Sequence, residues 1–328
     1  MKELSMSIAN QNRPIYHRGL YPGQHCGGFS LVELMVAAAI GLFLLAGTLQ
    51  VFSSMKQANA LVEHSSRIQE TARFAVGLMT ADLRRAGYWG GNADKDTMTG
   101  TEGMQPASNT CPGGSNAWGR MVEQRIFGLD DSNAGYACIA DSDYLRGDVM
   151  TVRFATPLTA VAFNPDELYL RASLFEGRLF VGSNNADPAN AVVDNPQSVH
   201  QLVAHAYFIG NTERSCNGKK IPALYWQTLV NGAPQKEELL TGVEHMQFQY
   251  GVDQNLDGVA EQYFNADGVT NWESVVMVRL WLLVRGGCPD NSFTDDKTYI
   301  MGDQQYTPGD NFHRQLYSQT IALRNLLN

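Results

Sequence analysis

Twenty-four residues from Phe29 to Phe52, FSLVELMVAAAIGLFLLAGTLQVF, contain no Lys, Arg, Asp or Pro, and no other stretch so narrows what this chain can become. As an α-helix the run rises ~36 Å, enough to cross a bilayer. Glu33 interrupts it near its start. An unpaired carboxylate at that depth costs roughly 2.5 to 3.5 kcal/mol, so it calls for a cationic partner. Before the run, residues 1 to 28 carry Lys2, Arg13 and Arg18 against Glu3. A basic flank of this kind keeps the amino terminus in the cytoplasm and sends the chain beyond the helix across the membrane. The small residues Gly27 and Gly28 precede the apolar run, whereas an ordinary secretory signal places its cleavage site after it. Cutting at Gly28 would therefore remove the polar leader and keep the membrane helix.

The order Gly28, Phe29 and then Glu33, read as G-F-S-L-V-E, resembles the type IV prepilin signal shared by pilins, minor pilins and type II secretion pseudopilins. The resemblance implies that a prepilin peptidase cuts after Gly28 and methylates the new amino terminus at Phe29. It also makes Glu33 the carboxylate that docks onto a neighbouring subunit's terminal amine, which is the cation a membrane-embedded acid needs.

Beyond Phe52 no proline occurs until Pro106. The segment from Ser53 to Arg85 keeps an apolar stripe of Leu61, Ser65, Ile68, Ala72, Ala75, Met79, Leu83 and Ala86 at helical spacing. Gly87 reads as the stop, after Arg84 and Arg85 in the last turn, where cations suit the helix dipole. One helix is thus expected over 29–86, with its membrane-spanning part at 29–52. A Gly-, Asn-, Asp- and Ser-rich stretch comes next, to about Asp143, and reads as chain running over the surface.

From Asp148 onward the pattern is that of strands. Val149–Phe154, Leu168–Phe175, Arg178–Val181, Gln201–Ile209 and Ala223–Val230 are short β-rich runs between turn formers. In 244–252, Glu244, Met246, Phe248, Tyr250 and Val252 alternate with His245, Gln247 and Gln249, the pattern of a half-buried strand. In 274–285 Val276, Val278, Leu280, Leu282 and Val284 share one face, which should meet the amphipathic half of the helix. Leu316–Arg324 reads as a closing strand. The fold class is α+β, with one long amino-terminal helix packed on a mainly antiparallel β-sheet head at 87–328.

Composition agrees with a folded exterior domain. Hydrophobic residues make up 44% of the 328 and charged residues 17%, which excludes a disordered chain. The net charge is −9, and without the leader it is −11. Direct binding of nucleic acid is not expected, since phosphate contacts need clustered Lys and Arg. Of five cysteines, Cys26 falls in the leader, leaving Cys111, Cys138, Cys216 and Cys288. An oxidising periplasm favours two disulfides among them. Three connectivities are open; proximity favours Cys111 with Cys138, and elimination then joins Cys216 with Cys288. A zinc site lacks any C-x-x-C pair or a His at ligand spacing.

The loop D-Q-N-L-D-G-V-A-E carries Asp253, Asn255 and Asp257 at alternate positions, followed by Gly258. Oxygens at the first, third and fifth positions with glycine at the sixth suit a hard cation, so Ca²⁺ is the candidate ligand. The Val259 carbonyl and Glu261 are candidate further ligands. The twelfth position is Phe264, so the bidentate Glu of an EF-hand is missing, and an acidic solvated hairpin loop is the competing reading. No cofactor is required. H-E-x-x-H, G-x-S-x-G, Walker A and G-x-G-x-x-G patterns are all absent from the sequence, so catalysis is not expected. His200 and His205 read as structural.

Four later segments sharpen the family: R-R-A-G-Y-W-G at 84–90, F-Q-Y-G-V-D at 248–253, V-V-M-V-R-L-W-L-L-V-R at 275–285 and I-A-L-R-N at 321–325. Together with the signal they resemble the PilW family of minor pilins. That resemblance implies a subunit anchored once in the inner membrane with its head in the periplasm, later carried to the pilus tip. Its implied partners are the prepilin peptidase, other minor pilins and the major pilin, the inner-membrane assembly platform and a tip adhesin. A J-like minor pseudopilin of a type II secretion system shares most of these features. A membrane-tethered periplasmic enzyme or binding protein is the third alternative.

Overall fold

A computed structural model describes residues 28–91, 95–111, 115–194 and 196–325. The expected leader, as far as residue 27, lies outside the described residues. The chain divides into two compact units, Met1–Ala58 and Asn59–Asn328.

In the first unit the described chain is the start of α1 (Leu31–Arg85). Ser30 opens it: its hydroxyl accepts from the Val32 N–H at 3.2 Å and its carbonyl from the Leu34 N–H at 3.0 Å. These bonds satisfy donors that a helix start otherwise leaves orphaned. Residues 28–58 are exposed throughout, apolar side chains included. Among the described residues α1 is the one helix long and apolar enough to cross a membrane.

The second unit begins inside that helix, at Asn59. Burial of the apolar stripe starts at Ile68 and continues through Ala72, Ala75, Met79, Leu83 and Ala86, while Leu61 stays exposed. These side chains belong to the head's main core. Gly87, at φ +75°, ends the helix, and its N–H donates to the Arg153 carbonyl at 3.0 Å.

The strands are β1 (Met98–Thr99), β2 (Ile126–Leu129), β3 (Arg146–Thr159), β4 (Leu168–Ala172) and β5 (Gly177–Val181). Then come β6 (Ser198–Cys216), β7 (Lys219–Val230), β8 (Ala233–Thr241), β9 (Val243–Val252) and β10 (Gln262–Phe264). The last are β11 (Val275–Arg285), β12 (Tyr299–Met301), β13 (Gln304–Tyr306) and β14 (Arg314–Ala322). One sheet runs β1-β5-β4-β6-β3-β2, with β7 and β8 continuing from the far part of β6. The second runs β10-β9-β11-β14, and β12 with β13 forms a separate hairpin. Every pairing is antiparallel except β1 with β5. At 19 residues, β6 is long enough to pair with β4, β3 and β7 in turn.

The period of two along a strand separates the two cores. Met150, Val152 and Phe154 of β3 join Tyr207 and Ile209 of β6, the helix stripe, and Val278, Leu280, Leu282 and Val284 of β11. That places the apolar face of β11 against the helix. Val149 and Ala155 of β3 join Leu202, Ala204, Ala206 and Phe208 of β6 on the other side of the large sheet. What covers this second face is the turn-rich stretch before Asp143, through Trp89, Met98, Trp118, Met121, Val122, Tyr136 and Ile139. The expectation of chain running over the surface is therefore corrected. Its apolar residues are too sparse to show a period, yet they close the back of a sheet that is apolar on both faces.

A second correction concerns β9. Its half-buried pattern fails because His245 and Gln247 are also buried. The β12–β13 hairpin accounts for this, with Tyr299 and Met301 packed on Leu283 and Tyr306 beside His245. The strand expected over Leu168–Phe175 ends at Ala172, where the Ser173 hydroxyl accepts the N–H groups of Phe175 and Glu176 and turns the chain. Disulfides join Cys111 to Cys138 and Cys216 to Cys288, with Cα atoms 5.4 and 5.2 Å apart.

Candidate functional site

Three groups of residues stand out as functional candidates. The first is the entry to α1. Gly28 and Phe29 lie in the non-helical lead-in. Phe29 is 83% exposed, and nothing lies within 4 Å of where a Cβ on Gly28 would stand. Glu33 falls in the first helical turn, where the positive end of the helix dipole favours a carboxylate. The entry thus combines a small residue in an open backbone segment, a large apolar residue after it, and an acid at the head of an apolar helix.

The second is the loop between β9 and β10. Carboxylate oxygens of Asp253, Asp257 and Glu261 lie within 4.8 Å of one another. Asp253 Oδ1 accepts from the N–H groups of Asn255, Leu256 and Asp257 at 3.2, 2.6 and 3.3 Å, and Oδ2 from Gly258 at 2.7 Å. Burial works against the Asp253 anion, but these donors outweigh it and hold its carboxyl below the ordinary range. Glu261 is drawn in by the Gln254 N–H at 2.7 Å. Asn255 and Val259 shape the loop: the Asn255 oxygen accepts the Asp257 N–H at 2.9 Å, and the Val259 N–H donates to Asp257 Oδ1 at 2.8 Å. Leu256 and Gly258, at φ +66° and +84°, let the chain curl around Asp253. Three oxygen-bearing anions so gathered fit a hard divalent cation.

The third group carries no motif in the sequence. Asp82 is buried on the stripe side of α1, and its Oδ2 lies 2.6 Å from both His205 Nδ1 and the Tyr207 hydroxyl. The His205 ring stacks on Trp226 with centroids 3.8 Å apart. The one local signal is position: Asp82 stands three residues after Met79 and four before Ala86, on the buried face. His200 has its own structural partners, Ser198 Oγ at 2.7 Å and the Thr156 carbonyl at 2.8 Å.

A helix that is apolar and exposed over its first half, buried along one stripe in its second half and followed by an antiparallel β head is a pilin-like architecture. Two family matches specify it. Residues 23–49 match the Prokaryotic N-terminal methylation motif, which spans Gly28, Phe29 and Glu33. Residues 206–325 match the family Type IV Pilus-assembly protein W, from β6 to the end of the described chain. The chain therefore carries a prepilin-type amino terminus and a PilW region. It is also 38% identical over 64 residues to the Pilin-like protein PilA3 of Thermus thermophilus, across 19% of this chain and 28% of the relative's length. A solved structure, the Type IV-like pilin TTHA1219 from Thermus thermophilus, aligns with 80% of this chain and 99% of its own at 13% identity and a TM-score of 0.36.

Proposed function

We propose that this chain is a minor pilin that takes part in type IV pilus assembly, priming the filament and forming part of its tip complex. The observation that carries the reading is the union, in one chain, of a methylation-motif amino terminus with a PilW region. Under it, residues 1–28 are removed at Gly28 and Phe29 becomes the methylated first residue. Helix 29–86 holds the subunit in the inner membrane through 29–52, with the head, 87–328, in the periplasm. Glu33 docks on the terminal amine of a neighbouring subunit as the helix moves from lipid into the filament, where the desolvated carboxylate needs a cation. Its partners are the prepilin peptidase, other pilins, the assembly platform and a tip adhesin, and its role is structural. The Asp253 loop takes Ca²⁺ through Asp253, Asp257 and Glu261, in the weak range of extracellular modules.

Two measurements on the source cells test this. Intact mass of the membrane-bound protein should show loss of the leader, and Gly28→Phe should retain it. A deletion strain should lose surface pili. Loss of exoprotein secretion with pili intact would overturn the reading in favour of a secretion pseudopilin. A leader retained by the unaltered chain would mean an unrelated anchor.

A further inference from the structure

The four-stranded sheet ends on β14, and among the described residues the far side of that strand is unpaired. On its near side all nine residues are matched to β11 without a register shift, from Ala322 opposite Met277 to Arg314 opposite Arg285. Alternate residues of an antiparallel strand turn their N–H and C=O groups away from the partner, so about half of those on β14 face outward. Natural sheets blunt such edges with charge, proline, bulges or brevity. The large sheet follows that rule at β8, which carries Pro234, Lys236, Glu237 and Glu238, and β10 at the opposite edge of the small sheet is three residues long. In β14 the run after Arg314 reads QLYSQTIA, free of charge and proline. Arg314 itself is turned inward onto Glu244, Asp295 and Asp310.

Room exists beside this edge. A groove of about 390 Å³ lies between Gln69, Arg73 and Gly77 of α1 and Gln315, Tyr317 and Gln319 of β14. Among the described residues nothing stands within 4 Å of where a Cβ on Gly77 would be, and the buried Tyr317 hydroxyl has no hydrogen-bond partner. Arg73 is exposed and takes part in no ion pair among the described residues.

We propose that β14 accepts an added strand: an extended, uncharged-to-acidic segment of another polypeptide, with a carboxylate reaching Arg73. Backbone hydrogen bonds would supply the affinity and the α1 groove the selectivity, the logic of strand augmentation. A second copy of this chain suits the site less well. Its own β14 run after Arg314, QLYSQTIA, is uncharged and offers Arg73 no carboxylate. The inference uses only the edge and the groove, and it stands whether or not the subunit belongs to a pilus.

The test uses the full chain in detergent micelles and a fluorescein-labelled nonapeptide that alternates valine with threonine and glutamate. Saturable anisotropy with slowed amide hydrogen exchange over residues 315–322 is expected. Ser318→Pro should abolish both. Arg73→Glu leaves the ladder intact even if the proline variant fails to fold; it should weaken the acidic peptide about tenfold and favour a version with lysine for glutamate. Exchange at 315–322 that the acidic peptide leaves unchanged, or binding indifferent to Arg73→Glu, would overturn the proposal. Self-cross-linking of Ser318→Cys without peptide would also overturn it, making the edge a contact between copies.

Discussion

Asp82 Oδ2 and His205 Nδ1 stand 2.6 Å apart, joining α1 to the middle of β6 through a buried polar contact. The Tyr207 hydroxyl donates to the same oxygen at 2.6 Å, and burial together with this acidic neighbour raises the Tyr207 phenol well above its ordinary value. Asp82→Ala strands both groups in the core. The expected loss is about 3 kcal/mol, since each stranded polar group costs about 1 to 3 kcal/mol. Denaturant unfolding in detergent measures it, and Tyr207→Phe should cost about 1 kcal/mol.

A second buried acid makes stability depend on pH. Asp148 lies at the start of β3 between the N–H groups of Asp131 and Phe248, at 2.9 and 2.6 Å. Burial pushes it up to about 8, against those two donors and with help from Asp130 and Asp131. Because the folded value lies above the unfolded one, the folded state holds the extra proton. This contribution is full below the unfolded value near pH 4 and is lost as pH rises through about 8. Unfolding free energy followed from pH 4 to 8 should therefore fall, this group adding a slope of up to about 1.4 kcal/mol per pH unit. Asp148→Asn should remove that slope while costing a constant offset for one lost acceptor. An unchanged slope in the variant would contradict the assignment.

The two disulfides close loops of unequal length, with sequence separations of 27 and 72. Restriction of the unfolded chain predicts about 3.6 kcal/mol for Cys111–Cys138 and about 4.4 kcal/mol for Cys216–Cys288. Paired Cys→Ser variants should be destabilised in that order. Their midpoints in guanidinium chloride report the difference.

For the Asp253 loop, calorimetric titration with Ca²⁺ is expected to give a dissociation constant of about 10⁻⁴ to 10⁻³ M. Asp257→Ala should abolish the heat without stranding the N–H groups that Asp253 holds. Equal heats for the variant and the parent would leave the loop as a solvated hairpin turn.

Several features were readable because they are local. The apolar run at 29–52 and its G-F-S-L-V-E start announce themselves over a few residues, and so does the alternation along β11. Other features depend on partners far away in sequence. Asn325 Nδ2 donates at 3.3 Å to the carbonyls of Arg84, Arg85 and Ala86, so the R-R-A-G and A-L-R-N segments meet at one junction. There the buried Arg125 adds bonds to the carbonyls of Asn325, Glu273 and Val275 at 2.7, 2.9 and 2.9 Å. Spacing along the chain offers no sign of this, because a charged side chain that serves backbone carbonyls looks like a surface residue until its neighbours are known.

The sequence alone determined the helix, its apolar first half, the prepilin-type entry and the β character of the head. Each rests on a repeat or a short motif whose physical meaning needs no distant partner. Only the tertiary structure decided that Met98, Trp118, Met121, Val122, Tyr136 and Ile139 line a second core, that both faces of β9 are buried, that Asp82 is a buried anchor and that β14 is an open edge among the described residues. Those outcomes depend on which surfaces the strand pairing leaves to be covered, and pairing across long stretches of chain is not encoded in any local period.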